Sequence, residues 1–525
     1  MDKRALLGFF LILIALMCSF FVDSANASIT IFIKANGSIV GTDKITSSDN
    51  ITYTLTADLT DSIVIARNNI VFDGNGRSLN GPMTLTSLGF TLEGISGVTI
   101  KNTTITGYVR GIFLSTNSTN NTLTGNTITS VGGFGIWVYA SNQNTISKNY
   151  IYNTSSAISV SDYSSNNIIT GNQITSNTGA GGPGIVLNKF ANQNTITENS
   201  ITNNVNGGIG IGTYSDNNII ARNEINSNIG TGIVVDYSSN NNQITNNNVT
   251  SNSLINGSPG YGIAVSGSSN NTNITGNNID SNGAAGIYIQ NYANNTNINA
   301  NLISHCDSGV FIGTSNTAVT GNTITSNTHQ GVCLFNYATN DTITGNAIAN
   351  CENGIYLDTS NNNIISNNNV TSNTANGIFL TNSASNTINA NIFSDNTRQA
   401  NTDSRSVNTW DDVSRGNYWS DYNGTDANGD GIGDTPYVID ANNQDRYPIT
   451  QHTALPSPSP SPIPTNSPTQ APSQKPTPSP EPKKEQDLTW LLIGLAVLAG
   501  ALVLVFVLLS RRKSKKKEAQ PKLKT

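Results

Sequence analysis

The chain has 525 residues, of which only 11% are charged and 36% hydrophobic, with 47 glycines and an excess of asparagine, serine and threonine. A formal net charge of −6 over this length excludes a basic nucleic-acid binder and an acidic disordered polymer. Uncharged turn formers in place of charges suit a chain made of strands and turns. Length alone suggests several domains, but a repeat array grows without needing a new core, so one long repeat domain is expected.

Residues 1–27 read as a secretory signal. Lys3 and Arg4 precede an apolar run from Leu6 to Val22, and Ala25-Asn26-Ala27 offers a small-x-small cleavage site. Cys18 lies in that run, which leaves Cys306, Cys333 and Cys351. An odd number of cysteines on an exported chain argues against a disulfide framework. Residues 28–94 are less regular, with strand-like stretches at Ile29–Ile33, Ile63–Ile65 and Val71–Asp73, and are expected to form an N-terminal cap with the first strands.

From 95 to 395 a unit repeats. Gly111-Ile112-Phe113-Leu114 is followed by Leu123-Thr124-Gly125-Asn126-Thr127-Ile128. The glycine recurs at Gly135, Gly184, Gly208, Gly232, Gly262, Gly286, Gly309, Gly331, Gly354 and Gly377, with Ala157 substituting once. The mean period of about 24 residues lies in the solenoid range. Two short strands per period are expected, stacked on their copies roughly 4.8 Å apart; about 14 rungs would give a stack on the order of 65 Å long. The first and third apolar residues of each Gly-Ile-x-Val strand should point inward. The asparagine of Ile-x-x-Asn-x-Ile should form a stacked amide column at a bend. Tyr163, Phe190, Tyr214, Tyr292 and Tyr337 each fall six residues before a strand isoleucine, which predicts ring stacking across rungs. Glu198 and Arg222 occupy one slot in consecutive rungs and should form a surface pair.

Residues 396–450 break the repeat with aromatics and acids and are expected to cap the C-terminal end. Residues 451–487 read as a stalk, in which the proline- and serine-rich run Pro456–Pro482 would extend about 80 Å. Residues 488–510 are an uncharged apolar stretch long enough to span a bilayer as one C-terminal transmembrane helix. Residues 511–525 begin with Arg511, Arg512 and Lys513, placing this tail in the cytoplasm and the bulk of the chain outside. Sequons at Asn36, Asn50, Asn102, Asn153, Asn273 and Asn423 fit a glycoprotein.

Asn69-Ile70-Val71-Phe72-Asp73-Gly74-Asn75-Gly76 near the start and Gly416-Asn417-Tyr418-Trp419-Ser420-Asp421-Tyr422 near the end carry a family resemblance. Over roughly Ser28 to Ile449 the chain resembles the NosD-type right-handed parallel β-helix, also described as carbohydrate-binding and sugar-hydrolysis repeats. Its plan of signal, helix, stalk, span and basic tail is similar to archaeal cell-surface members. The resemblance implies an all-β, right-handed parallel β-helix. Bacterial NosD proteins are periplasmic and associated with maturation of the copper site of nitrous oxide reductase; related β-helices bind or cleave polysaccharides.

Three sites stand out. Asp426, Asn428, Asp430 and Asp434 supply hard oxygens at positions suited to Ca²⁺, with Gly431 at the sharp turn and Tyr437 where a bidentate glutamate would stand. His305, Cys306, His329, Cys333 and Cys351 fall in three consecutive rungs, and thiolates with imidazole suit Cu(I) or Zn²⁺. Cys306 and Cys351 share a column about 9.6 Å apart by rung spacing, too far for a disulfide. The outward position of Gly-Ile-x-Val is held by Phe113, Trp137, Val186, Val234, Tyr288, Phe311, Tyr356 and Phe379, an aromatic line suited to stacking on sugar rings. Asp162, Asp216 and Asp236 form no repeated acid column, so no catalytic residues are assigned.

The resulting expectation is a membrane-anchored extracellular protein serving carbohydrate binding, adhesion or envelope structure, with polysaccharide or envelope components as partners and no nucleic acid. A copper-handling accessory protein and a polysaccharide hydrolase or lyase are the alternatives.

Overall fold

Each period of the repeat closes one coil, and each coil has three strands where the sequence reading expected two. In the computed structural model, residues 30–451 are described, apart from 180–181, 254–256 and 258. The expected signal, stalk from residue 452, membrane span and basic tail lie outside the described residues. Among those described, every regular element is a β-strand, and no helix is long and apolar enough to cross a membrane.

The coil beginning at Arg110–Ser115 shows the plan. That strand lies on what we call the glycine face, Thr122–Thr124 on the middle face, and Thr127 opens the closing face. The unanticipated third strand is the Thr-Ile-Thr segment after each Gly-Asn bend. With one inward apolar residue it leaves a periodicity signal too short to separate from its neighbour. The middle face is a parallel stack within a 16-stranded sheet, and the other two faces are joined through the long strands Thr127–Tyr139 and Tyr150–Ser161. Parallel register runs coil to coil, as in Ile112↔Ile136 and Ile128↔Ile151. It already begins with Ile31↔Ile63 and Ile63↔Phe90, so the first coils lie within 31–94. Antiparallel pairs Phe32↔Val40 and Ile45↔Leu55 occupy the start.

The core is a filled column. Ile112 and Leu114 of the glycine face, Leu123 of the middle face and Ile128 of the closing face are all fully buried. The same slots are buried in coil after coil, so burial is shared with neighbours rather than completed within one coil.

The recurring glycine has a steric cause. A Cβ on Gly111 would lie 2.5 Å from the carbonyl oxygen of Gly135, and one on Gly331 2.5 Å from that of Gly354. The axial neighbour is backbone and cannot step aside, so from Gly89 to Gly377 the slot is glycine in every coil but one, where Ala157 stands. Gln399 takes the slot in the last coil.

Asparagine builds the corners. Between the middle and closing faces, Asn126, Asn149, Asn172, Asn199 and Asn223 form a buried amide ladder. The Asn199 backbone N–H and Nδ2 both donate to Asn223 Oδ1 at 3.0 Å, and Asn223 repeats this to Asn247. The residue before each ladder asparagine takes a left-handed backbone, as Lys148, Glu198 and Arg222 do. Glu198 and Arg222 pair at 3.0 Å. Two further ladders flank this one, one through Asn121, Asn144 and Asn167 and the other through Asn177, Asn204 and Asn228. Within a coil the three slots lie five residues apart, as in Asn167, Asn172 and Asn177.

At the C-terminal end the ladders are closed by new partners. Asn408 N–H donates to Asn443 Oδ1, and Asn417 N–H donates to Asp445 Oδ2 at 2.7 Å. Burial pushes Asp445 up to about 6, against the N–H groups of Asn417, Trp419 and Tyr447 that favour its charge. Trp419 stacks between Phe393 and Tyr437 at 4.8 and 4.4 Å, sealing the core beneath the cap.

Candidate functional site

The outward middle position of the glycine face is one continuous column. It runs Phe113↔Trp137↔Ser159↔Val186↔Gly210↔Val234↔Ala264↔Tyr288↔Phe311↔Cys333↔Tyr356↔Phe379. Inward residues on either side are anchored in the core, so each outward side chain is fixed in register with the next. The six aromatic residues expected there are half-buried, because they lean on one another.

The rings gather at the two ends of the column. Near the start, Trp137 is the hub, with ring centroids 5.0 Å from Phe113, 5.4 Å from Phe134 and 5.5 Å from Tyr139. Its Nε1–H donates to Ser161 Oγ at 3.0 Å. Arg110 lies over this cluster, its guanidinium carbon 4.5 Å from the Trp137 ring centroid. Near the other end, Tyr261 stacks on Tyr288 at 4.2 Å, Tyr288 on Phe311 at 5.4 Å, and Tyr356 meets Phe379 at 5.4 Å. Between the clusters the column is held by Ser159, Val186, Gly210, Val234 and Ala264, with Gly182 and Pro183 packed against Val186 and Gly210. Phe134, Tyr139 and Tyr261 were missed in the sequence because they stand outside the Gly-Ile-x-Val slot.

A second aromatic row flanks that stretch at the corner after the glycine face. Tyr163, Phe190 and Tyr214 stack in consecutive coils, with centroids 4.8 and 5.3 Å apart and planes within 11°. All three hold left-handed backbone and are exposed, from Phe190 at 36% to Tyr163 at 68%. Tyr292 and Tyr337 share the slot but are separated from this stack along the column.

The Cys/His group does not converge. Cys306 and Cys351 do share a column, and it is the third amide ladder, where they replace asparagine: each backbone N–H donates to the next asparagine, Asn327 and Asn373. Each thiol donates to a backbone carbonyl, those of Ser304 and Ala349. Burial pushes Cys306 up to about 11 and Cys333 up to about 12, and raises Cys351 as well. His305 and His329 stand outside, where Nδ1 of each meets Asp280 at 2.7 Å and Asp307 at 2.8 Å. His329 therefore does not lie between the thiols, since the ladder turns cysteine inward and the loop turns histidine outward. Among the described residues, no three His, Cys, Asp or Glu side chains come together to hold a metal ion.

In the Asp-rich loop the oxygens are held by turn N–H groups. Asp426 accepts from Asp430 and Gly431 N–H, Asp434 from Ala427 N–H, and Asp430 from Ile432 N–H, while Asn428 Oδ1 accepts from Asp430 N–H. The strand-end acids are likewise engaged: Asp162 with Lys189, Asp216 with Asn240 N–H and Asp236 with Tyr237 N–H. A polar cleft of about 400 Å³ opens near the start of the solenoid, lined by Asp73, Asn75, Gly76, Asn102, Thr103, Thr104, Gly125 and Thr127. Lys101 pairs with Asp73 at 3.2 Å at its edge.

No curated protein matches the chain. Among solved structures, the periplasmic alginate epimerase AlgG is 14% identical with a TM-score of 0.45, over 64% of this chain and 82% of that one. The AlgE6 A-module, a mannuronan C-5 epimerase from Azotobacter vinelandii, is 16% identical with a TM-score of 0.36, over 68% and 88%. An alginate lyase from Paenibacillus sp. str. FPU-7 is 15% identical with a TM-score of 0.33, over 46% and 98%. At these values nothing about the chemistry of the present chain follows from them. The family profile described as "Periplasmic copper-binding protein (NosD)" matches four overlapping segments, 18–206, 89–254, 213–318 and 291–424. With most of the solenoid covered by these segments, the chain belongs to the NosD family.

Proposed function

We propose that the chain is an exported, membrane-anchored β-helix whose glycine face binds carbohydrate, serving adhesion or envelope structure. The observation that supports this is the ring column: two clusters of half-exposed aromatics on one rigid face, separated by a stretch without rings. Aromatic rings offer flat apolar surface fixed by few torsions, the kind of surface on which the C–H faces of sugar rings stack. A contiguous apolar stripe kept at a solvent face calls for a partner. The axial register also suits an extended polymer better than a small enclosed ligand.

The test is a glycan array probed with the full-length chain, alongside Trp137→Ala and Tyr288→Ala. Retention of one or more polysaccharides by the parent, and at least a tenfold weaker signal in both variants, is expected. A parent chain that ignores every glycan would overturn the reading.

The family description names copper, and the residues present do not fit a copper centre. Cys306 and Cys351 are buried ladder members, Cys333 is buried in the ring column, burial raises the pKa of all three thiols, and the imidazoles face away from them beside carboxylates. A thiolate site requires deprotonated sulfur turned toward the ion. The copper content of Cys306→Ala and His329→Ala is accordingly expected to equal that of the parent.

A further inference from the structure

Arg110 differs from the arginines that sit in ion pairs. Arg222, Arg405 and Arg446 each meet a carboxylate, at 3.0, 3.5 and 2.6 Å. Arg110 instead lies over Trp137 and Phe113, 4.5 and 5.5 Å from their centroids, and among the described residues it forms no ion pair. It is half-buried, and desolvation alone lowers its pKa, with no acid contributing. In a chain with 32 acidic and 26 basic residues, a half-buried guanidinium left to aromatic rings alone is an exception.

The placement follows from the backbone. Arg110 pairs with Leu88 and Ile112 with Phe90, and between them Gly111 packs against the Gly135 carbonyl. The guanidinium is thereby set on the outer side, above the same rings that begin the column. Cation–π contact satisfies the face of the guanidinium and leaves its in-plane N–H groups directed away from the rings. Those N–H groups form a fork matched to a carboxylate. Toward the opposite end of the column, burial raises the pKa of Tyr356 and Cys333, and the charge of nearby Asp358 adds to it.

We infer that Arg110 and Trp137 form a subsite for a carboxylate-bearing sugar ring, the ring stacking in the aromatic cluster and its carboxylate meeting the guanidinium fork. This rests on the carbohydrate reading and narrows it to acidic polysaccharides.

The experiment compares binding of the full-length chain to polygalacturonate and hyaluronate and to their methyl esters, which keep the backbone and remove the charge. At least a tenfold preference for the free acids is expected, shrinking as salt is raised. Arg110→Gln should abolish that preference and Arg110→Lys should keep part of it, with thermal unfolding of both variants confirming an intact solenoid. Equal binding of acid and ester, or a preference that survives Arg110→Gln, overturns the inference while leaving the carbohydrate reading in place. Binding to neutral glycans alone does the same, and binding to no glycan overturns both.

Discussion

Two corners of the same solenoid treat the same problem differently. At the corner between the middle and closing faces the amide ladder is unbroken from Asn126 to Asn417, and every rung donates to the next. At the corner before the middle face, the sister ladder is intact from Asn121 to Asn242, then passes through Thr272, Thr296, Thr317 and Asp341 before resuming at Asn363. There Thr272 Oγ1, Thr317 Oγ1 and Asp341 Oδ2 are buried without a partner. The core can therefore hold the coils together over a broken ladder, and the ladder adds local order rather than deciding the fold. Asp341 makes the difference measurable. Burial pushes its carboxyl up to about 7, against one Thr317 N–H that favours the charge. Asn363, which follows it in the column, uses an amide N–H₂ at the corresponding place, so the protonated acid is the form that imitates it.

The largest expected effect comes from repairing the broken corner. An aspartate whose folded pKa is about 7 is stabilising when protonated: stability is greatest below the ordinary carboxylate pKa, falls between about pH 4 and 7, and is flat above. Asp341→Asn should flatten that slope and raise stability above pH 7 by up to about 4 kcal/mol. Denaturation curves across pH read this, and an unchanged slope would show that Asp341 is not the group responsible.

Breaking the intact corner comes next. Asn223→Ala removes the acceptor of two bonds from Asn199 and leaves the Ile196 and Ala221 carbonyls without their donor. About 3 kcal/mol of local stability should be lost. Hydrogen exchange should rise in the coils around residue 223 and not in distant ones, since each coil contacts only its neighbours.

Restoring a ladder slot should give a smaller gain. Asn327 Nδ2 reaches Cys351 Sγ only at 4.0 Å, so Cys351→Asn should stabilise by about 1 kcal/mol in chemical denaturation. A destabilised variant would mean that the slot selects for sulfur. Smallest is Glu198→Ala: both partners of that ion pair are about half exposed, and a change below about 0.5 kcal/mol is expected.

The coil was legible because its signals repeat. Gly111 with inward Ile112 and Leu114, and Asn126 before Ile128, each return in register often enough to outweigh local irregularity. The three-strand count was not legible, because Leu123 and Ile174 are single inward residues on strands of three. The two extra ladders were within reach: Asn167, Asn172 and Asn177 are spaced by fives, and the same spacing places Cys306 and Cys351 in amide slots, away from any histidine. What the sequence could not supply was the direction of single side chains. His305, His329 and Cys306 are close along the chain yet point to opposite sides of one wall, and Arg110 meets Trp137 only because coils stack in register.

The ladders also carry a direction. Each asparagine donates to the coil that follows it, so the final coil needs acceptors that no repeat can provide, and Asn443 and Asp445 supply them. A chain cut between coils would end in open donors, whereas a duplicated coil within the array would inherit an acceptor above and a donor below. Length variation in such a protein is therefore expected by insertion or loss of whole internal coils. The segment that carries Asn443 and Asp445 stays fixed whatever the number of coils before it.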